Sequence, residues 1–72
     1  MNKLIDFKNI ILKISDTVAT VSLNRPKIRN AMNLPMMKEI ADCFTYLSEQ
    51  SDVRIIILRG NGESFCAGAD IQ

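Results

Sequence analysis

The side chains and backbone groups able to do chemistry in this chain fall into two short clusters. Arg25, Lys27 and Arg29 place three cations on one polar stretch, and Cys66-Ala67-Gly68-Ala69-Asp70 sets a thiol and a carboxylate around three small residues. Small residues at 67, 68 and 69 would let a ligand come close to the backbone. Free N–H groups at a helix start would face that ligand and favour negative charge. For the cations, a solvated loop and an anion site are both open readings. For Ala67-Gly68-Ala69, a plain turn and a ligand-facing loop are both open. Glu63 and Asp70 could form a carboxylate pair, although Asp70 suits the first turn of a helix better.

The chain has no histidine. No Ser-His-Asp triad, Cys-His dyad or HExxH metal site can be built from it. A nucleophilic thiol needs a base, so Cys66 lacks the usual activating partner. Cys43 and Cys66 cannot complete a four-ligand zinc site without histidine, and no metal site is expected. One possible disulfide is not a disulfide framework. Gly60-Asn61-Gly62 opens like GxGxxG, but Phe65 stands where the next glycine belongs. Ala69-Asp70 follows Gly68 where a Walker loop needs Lys-Ser/Thr. Met32, Met36 and Met37 read as core or interface filler.

The elements that must position these clusters follow from residue patterning. Ile10-Ile-Leu-Lys-Ile-Ser15 is rich in β-branched residues and reads as the first structured stretch, a strand. After the turn pair Asp16-Thr17, Ala19, Val21 and Leu23 alternate with Val18, Thr20 and Ser22. The two runs predict a hairpin over about 10–23, ended by Asn24-Arg25-Pro26. Asn33 can cap a helix over about 34–49, with Pro35 tolerated in its first turn. Along that helix Met37, Ile40, Phe44 and Leu47 recur at spacings of three and four, with Ala41 beside them. Arg54-Ile-Ile-Ile-Leu-Arg59 predicts a strand over about 53–59, buried on both faces as in a parallel sheet under helices. The order is β-β-α-β followed by a loop over 60–72, an α/β pattern containing one βαβ crossover.

The 72 residues carry nine basic and eight acidic side chains, a net charge of +1. That balance gives no electrostatic reason to expect nucleic acid. Asp6, Lys8 and Asn9 break the N-terminal apolar stretch, and no apolar run approaches the roughly 20 residues of a membrane span. A cytoplasmic protein with no membrane partner is the expectation. A buried strand needs neighbours on both sides, and a hairpin and one helix do not supply them. The pattern therefore reads as the N-terminal part of something larger.

Three segments together resemble the enoyl-CoA hydratase/isomerase (crotonase) family. Val18-Ala-Thr-Val-Ser-Leu-Asn-Arg-Pro-Lys-Ile-Arg-Asn-Ala-Met32 is similar to that family's I-x-x-I-x-L-N-R-P-x-x-x-N-A-L/M opening. Asp52-Val-Arg-Ile-Ile-Ile-Leu-Arg-Gly60 resembles its D-x-x-V-R-x-x-V-L-x-G strand, and Ser64-Phe-Cys-Ala-Gly-Ala-Asp-Ile71 its F-C/S-A-G-A-D-L/I loop. The match runs in order through about residues 10–72.

The resemblance implies a crotonase-like spiral of ββα units, present here only as an N-terminal β-β-α-β portion over 1–72, with family members assembling as trimers or hexamers. It implies an acyl-CoA thioester substrate and hydration of a 2,3-enoyl-CoA, with two backbone N–H groups holding the thioester oxygen as it becomes an enolate. The first donor matches the Ala69 backbone N–H. Ala67, Gly68, Asp70 and Ile71 match the stretch along the adenine and pantetheine region, and Lys27, Ile28 and Arg29 the loop that packs on coenzyme A. No prosthetic group is implied, since coenzyme A is part of the substrate. Asn30-Ala31 reads as structural in this pattern. Gln72 falls where a lysine often follows in relatives. The second oxyanion donor and the family's catalytic glutamates have no match in these 72 residues, so the chain alone is expected to be inactive. Isomerases, methylglutaconyl-CoA hydratases and decarboxylases share the same N-terminal half and stay open. So does a non-catalytic remnant that binds or oligomerises.

Overall fold

Alternation of apolar side chains produces the centre of the sheet. The computed structural model describes residues 2–66 and 68. Strands β1 (Asn2–Asp6), β2 (Ile10–Ser15), β3 (Val18–Leu23) and β4 (Ile55–Gly60) form one sheet in that order. β1, β2 and β3 are antiparallel neighbours, and β4 pairs parallel to β3. Ser15 pairs with Val18, so Asp16 and Thr17 alone make the β2–β3 connection, with Asp16 at φ 54°. Aspartate tolerates this left-handed conformation better than most side chains.

Helix α1 (Leu34–Ser48) crosses from β3 to β4 and lies against β2. Asn33 caps it, its side-chain oxygen accepting the Met36 N–H at 3.0 Å, and Pro35 occupies the first turn. The core lies between the sheet and this helix. Ile10, Leu12 and Ile14 of β2, Ala19, Val21 and Leu23 of β3, and Met36, Cys43 and Leu47 of α1 are all buried. Register puts the six strand residues on one sheet face, because Ile10, Leu12 and Ile14 pair with Leu23, Val21 and Ala19.

Three findings correct the sequence reading. The first strand is Asn2–Asp6, so the order is β-β-β-α-β. β1 is an edge strand whose residues are exposed apart from half-buried Ile5, so it carries little apolar patterning to read. The inward stripe of α1 runs through Met36, Ile40, Cys43 and Leu47, while Met37, Ala41 and Phe44 face outward. Both stripes have helical spacing, and packing on β2 selects one of them. Finally, β4 is not buried on both faces. It is the other edge of the sheet, and Ile55, Ile56, Ile57 and Leu58 are 53%, 45%, 46% and 40% exposed.

Candidate functional site

The polar stretch after β3 is shaped by one proline and two left-handed residues. Pro26 opens a single 3-10 turn, Pro26–Ile28, and the Arg29 N–H closes it on the Pro26 carbonyl at 3.2 Å. Arg29 and Asn30 then take φ values of 58° and 57°. Lys27, Ile28 and Arg29 are thereby held in an exposed bend. Lys27 and Ile28, together with Asn24, Arg25 and Pro26, line a shallow concavity of about 400 Å³. The half-buried Arg25 is tied into the same loop, its Nη1 donating to the Ala31 carbonyl at 2.5 Å.

A second loop leaves the end of β4. The Asn61 N–H donates to the Leu23 carbonyl at 2.8 Å, and the Asn61 side chain donates to Asn24 Oδ1 at 3.1 Å and accepts from Arg59 at 2.7 Å. Gly60 is required by close approach: a Cβ there would lie 2.5 Å from the Phe65 carbonyl oxygen and 2.6 Å from that of Ser64. Gly62 has φ 89°, and a Cβ on it would meet Pro26 Cβ at 2.9 Å, so the two loops touch there as well.

Asn30 joins the two loops. It is fully buried, its Oδ1 accepts the Arg25 N–H at 2.8 Å, and its Nδ2 donates to the carbonyls of Asn61 at 2.9 Å and Ser64 at 2.8 Å. Two acceptors face Nδ2 and one donor faces Oδ1, which fixes the orientation of the amide. Beyond it, the Met32 N–H donates to the Gly68 carbonyl at 2.8 Å. Gly68 is exposed with φ 113°, and its N–H lies 3.4 Å from Cys66 Sγ.

The two loops that carry the clusters seen in the sequence are therefore joined. Lys27, Ile28 and Arg29 sit on one loop, Gly68 and half-buried Cys66 on the other, with Asn30 and Met32 between them. The expected site residues Ala67, Ala69, Asp70 and Ile71 lie outside the described residues. Glu63 is exposed, and Cys43 is a separate core residue of α1 whose thiol is pushed up by burial. Among the described residues, no group of three or more His, Cys, Asp or Glu side chains could hold a metal ion. Sequence reasoning gave Asn30 only a structural part. Its one local signal is that asparagine tolerates a left-handed backbone, since its partners at 61 and 64 are remote in sequence.

A family model described as enoyl-CoA hydratase/isomerase matches residues 13–72. The chain belongs to the enoyl-CoA hydratase/isomerase family. It is 41% identical over 66 residues to a crotonyl-CoA hydratase of Syntrophomonas wolfei, covering 90% of this chain and 25% of that protein. It is 35% identical over 66 residues to a trans-2-decenoyl-[acyl-carrier-protein] isomerase of Streptococcus mutans, covering 92% of this chain and 25% of that protein. The crystal structure of a probable enoyl-CoA hydratase from Mycobacterium thermoresistibile superposes with a TM-score of 0.88 at 39% identity, over 92% of this chain and 28% of that one. The α/β architecture is thus that of the crotonase-like hydratases. The chain spans 25% of the length of each of the two sequence relatives. Among the described residues no helix is long and apolar enough to cross a membrane.

Proposed function

We propose that this chain supplies the coenzyme-contacting loop and the first oxyanion donor of an enoyl-CoA hydratase acting on a 2,3-enoyl thioester of coenzyme A. The observation that carries the reading is the Met32 N–H bond to the Gly68 carbonyl, which holds the Lys27–Arg29 bend beside the Gly68 loop. In this reading Lys27, Ile28 and Arg29 pack on coenzyme A, the cations facing its phosphates. Ala67, Gly68, Asp70 and Ile71 line the adenine and pantetheine stretch. The Ala69 backbone N–H donates to the thioester oxygen as negative charge grows on it. A fixed dipole aimed at developing charge needs no reorganisation during the reaction, which is the source of its catalytic value. Coenzyme A enters and leaves as part of the substrate. The acid and base that move water and protons at the reacting carbons are not assigned to Glu63 or Asp70, so the 72 residues bind without turning over. We place the protein in the cytoplasm, working as a homo-oligomer.

The test is titration of the purified chain with coenzyme A, followed by amide NMR, beside a crotonyl-CoA hydration assay. The expected result is shifts at 25–29 and 66–72 with no hydration. No shifts at millimolar coenzyme A would refute the binding reading. Hydration that is lost in Ala69→Pro, which removes that N–H, would refute the reading that these 72 residues bind without turning over.

The Streptococcus mutans relative, named as an isomerase of a carrier-protein thioester, favours a second reading in which the acyl group arrives on acyl carrier protein. Preference for a decenoyl carrier-protein conjugate over the CoA ester in the same titration would select it. The exposed β4 edge favours self-association as a third. A monomer by sedimentation at high concentration would remove that one.

A further inference from the structure

Asn30 commits its backbone N–H, its Oδ1 and both Nδ2 hydrogens to the two loops that leave the paired ends of β3 and β4. Its own N–H donates to the Arg25 carbonyl at 2.8 Å, and its Oδ1 takes the Arg25 N–H. These two bonds close the 25–30 bend on itself. The two Nδ2 hydrogens go across to the Asn61 and Ser64 carbonyls. The side chain is inaccessible to solvent, so water cannot replace a lost partner without the loops parting.

Other contacts cross the same seam. Among them are the Asn61 Nδ2 bond to Asn24 Oδ1 at 3.1 Å, the van der Waals approach of Gly62 to Pro26, and the Met32 N–H bond to the Gly68 carbonyl. Met32 follows Asn30 closely, and Gly68 follows Ser64 closely. Seating of the Asn30 amide therefore sets the register in which Met32 meets Gly68. A carbonyl and the amide that follows it share one rigid plane. A bond that fixes the Gly68 carbonyl fixes the plane of the peptide to which it belongs.

We infer that Asn30 is a positioning residue that couples the Lys27–Arg29 bend to the Gly68 carbonyl, so that an anion held at the bend and the setting of the Gly68 peptide stabilise one another. The part played by the anion rests on the acyl-CoA reading, and the mechanical coupling does not. Coupling of this kind is reciprocal: whatever orders one loop orders the other.

Two substitutions separate this from a merely structural role. Asn30→Gly deletes the amide but keeps the left-handed backbone, since glycine adopts φ near 57° without strain. Asn30→Asp keeps the acceptor for the Arg25 N–H and loses both donations to Asn61 and Ser64. The primary measurement is amide hydrogen exchange on the ligand-free 72-residue chain. The expected result in both variants is exchange at the Met32 N–H faster by about tenfold or more, with the β2–β3 ladder amides changed by less than about threefold. Asn30 does not touch the Met32 N–H, so local loss of contact alone would not produce this. An unchanged Met32 rate in Asn30→Gly overturns the coupling. So does acceleration of Met32 and the ladder by the same factor, which would mark general destabilisation.

The second measurement adds coenzyme A. In the parent chain, shifts should reach past the contact residues to 61–64, where Asn30 is bonded. In Asn30→Asp the shifts at 61–64 should be lost while those at 25–29 stay. Shifts at 61–64 in both chains overturn the coupling. Faster Met32 exchange in the variants with no coenzyme A shifts in the parent chain supports the coupling and refutes the acyl-CoA reading instead.

Discussion

The Met32 N–H donates to the Gly68 carbonyl at 2.8 Å, and this bond ties the segment entering α1 to the small-residue loop beyond β4. Neither residue has a side chain that could act on a substrate. Their bond fixes where the chain that follows the exposed Lys27–Arg29 bend lies against the second loop.

The cations are expected to act through charge. Replacing both Lys27 and Arg29 by alanine should weaken coenzyme A binding several-fold and flatten its dependence on salt. Exposed charges are screened over a Debye length of about 10 Å at 0.1 M ionic strength. Calorimetric titration at low and high salt checks this. Equal affinities for the parent and the double variant would show that the bend is only solvated.

Gly60→Ala should destabilise the second loop by about 1–3 kcal/mol, the usual range for an overpacked site that must shift backbone. The obstacles to its Cβ are backbone atoms at 2.5 and 2.6 Å, which cannot rotate aside. Gly68→Ala meets nothing within 4 Å and should show only the strain of its positive φ. Urea melts of the two variants, with Gly60→Ala the less stable, check the order.

The Asn33 cap should be worth about 0.5–2 kcal/mol, read as the loss in Asn33→Ala. The Lys38–Asp42 pair, one turn in, has both side chains largely exposed at 77% and 58%. Removing it should leave the melting temperature almost unmoved. A larger loss from Asp42→Asn than from Asn33→Ala would contradict the placing of the helix start.

Burial raises the Cys43 thiol above its ordinary value of 9.0. The unfolded chain ionises at the ordinary value while the folded chain still holds the proton. The contribution of this residue is therefore complete below about pH 9 and declines as pH climbs from there through the raised folded value. Denaturation midpoints between about pH 8 and about pH 10 should fall more steeply in the parent chain than in Cys43→Ala. Identical slopes would show that the thiol does not titrate with unfolding.

Leu12 is fully buried at the centre of β2, and Leu12→Ala should cost about 2–5 kcal/mol. A core of this size supplies only about 3–5 kcal/mol, so the variant should be largely unfolded by circular dichroism at 25 °C. Retention of full native signal would indicate a source of stability outside this core.

Much of the sheet was legible in the sequence because β2 and β3 alternate cleanly and the Asp16-Thr17 pair leaves room for one kind of connection. The cap at Asn33 was legible for the same reason, since capping is settled by neighbours in sequence. β1 was not, because an edge strand is held mainly by backbone pairing, and only Ile5 carries a partly buried side chain. The facing of α1 depends on how it packs across β2. The run Ile55–Leu58 spells out burial on two faces, and the described residues cover neither fully. At the site, the motif residues announced the two loops. The Asn30 contacts that hold them together span distances in sequence that no local pattern carries.

The parallel pairing of β3 with β4 has a consequence for the order of assembly. β1, β2 and β3 meet through short connections, whereas β4 can join only after the chain has traversed the whole of α1. Closing the longer loop costs more entropy, so the meander and helix should form first and β4 should dock last. Folding rates should then respond strongly to substitutions at Leu12 and Val21 and hardly at all to Ile56→Ala or Leu58→Ala, which should instead speed unfolding. The reverse pattern would place β4 in the nucleus. With β4 last, the Asn30 seam and the Gly68 loop are the final parts of the molecule to take shape and the first to come undone.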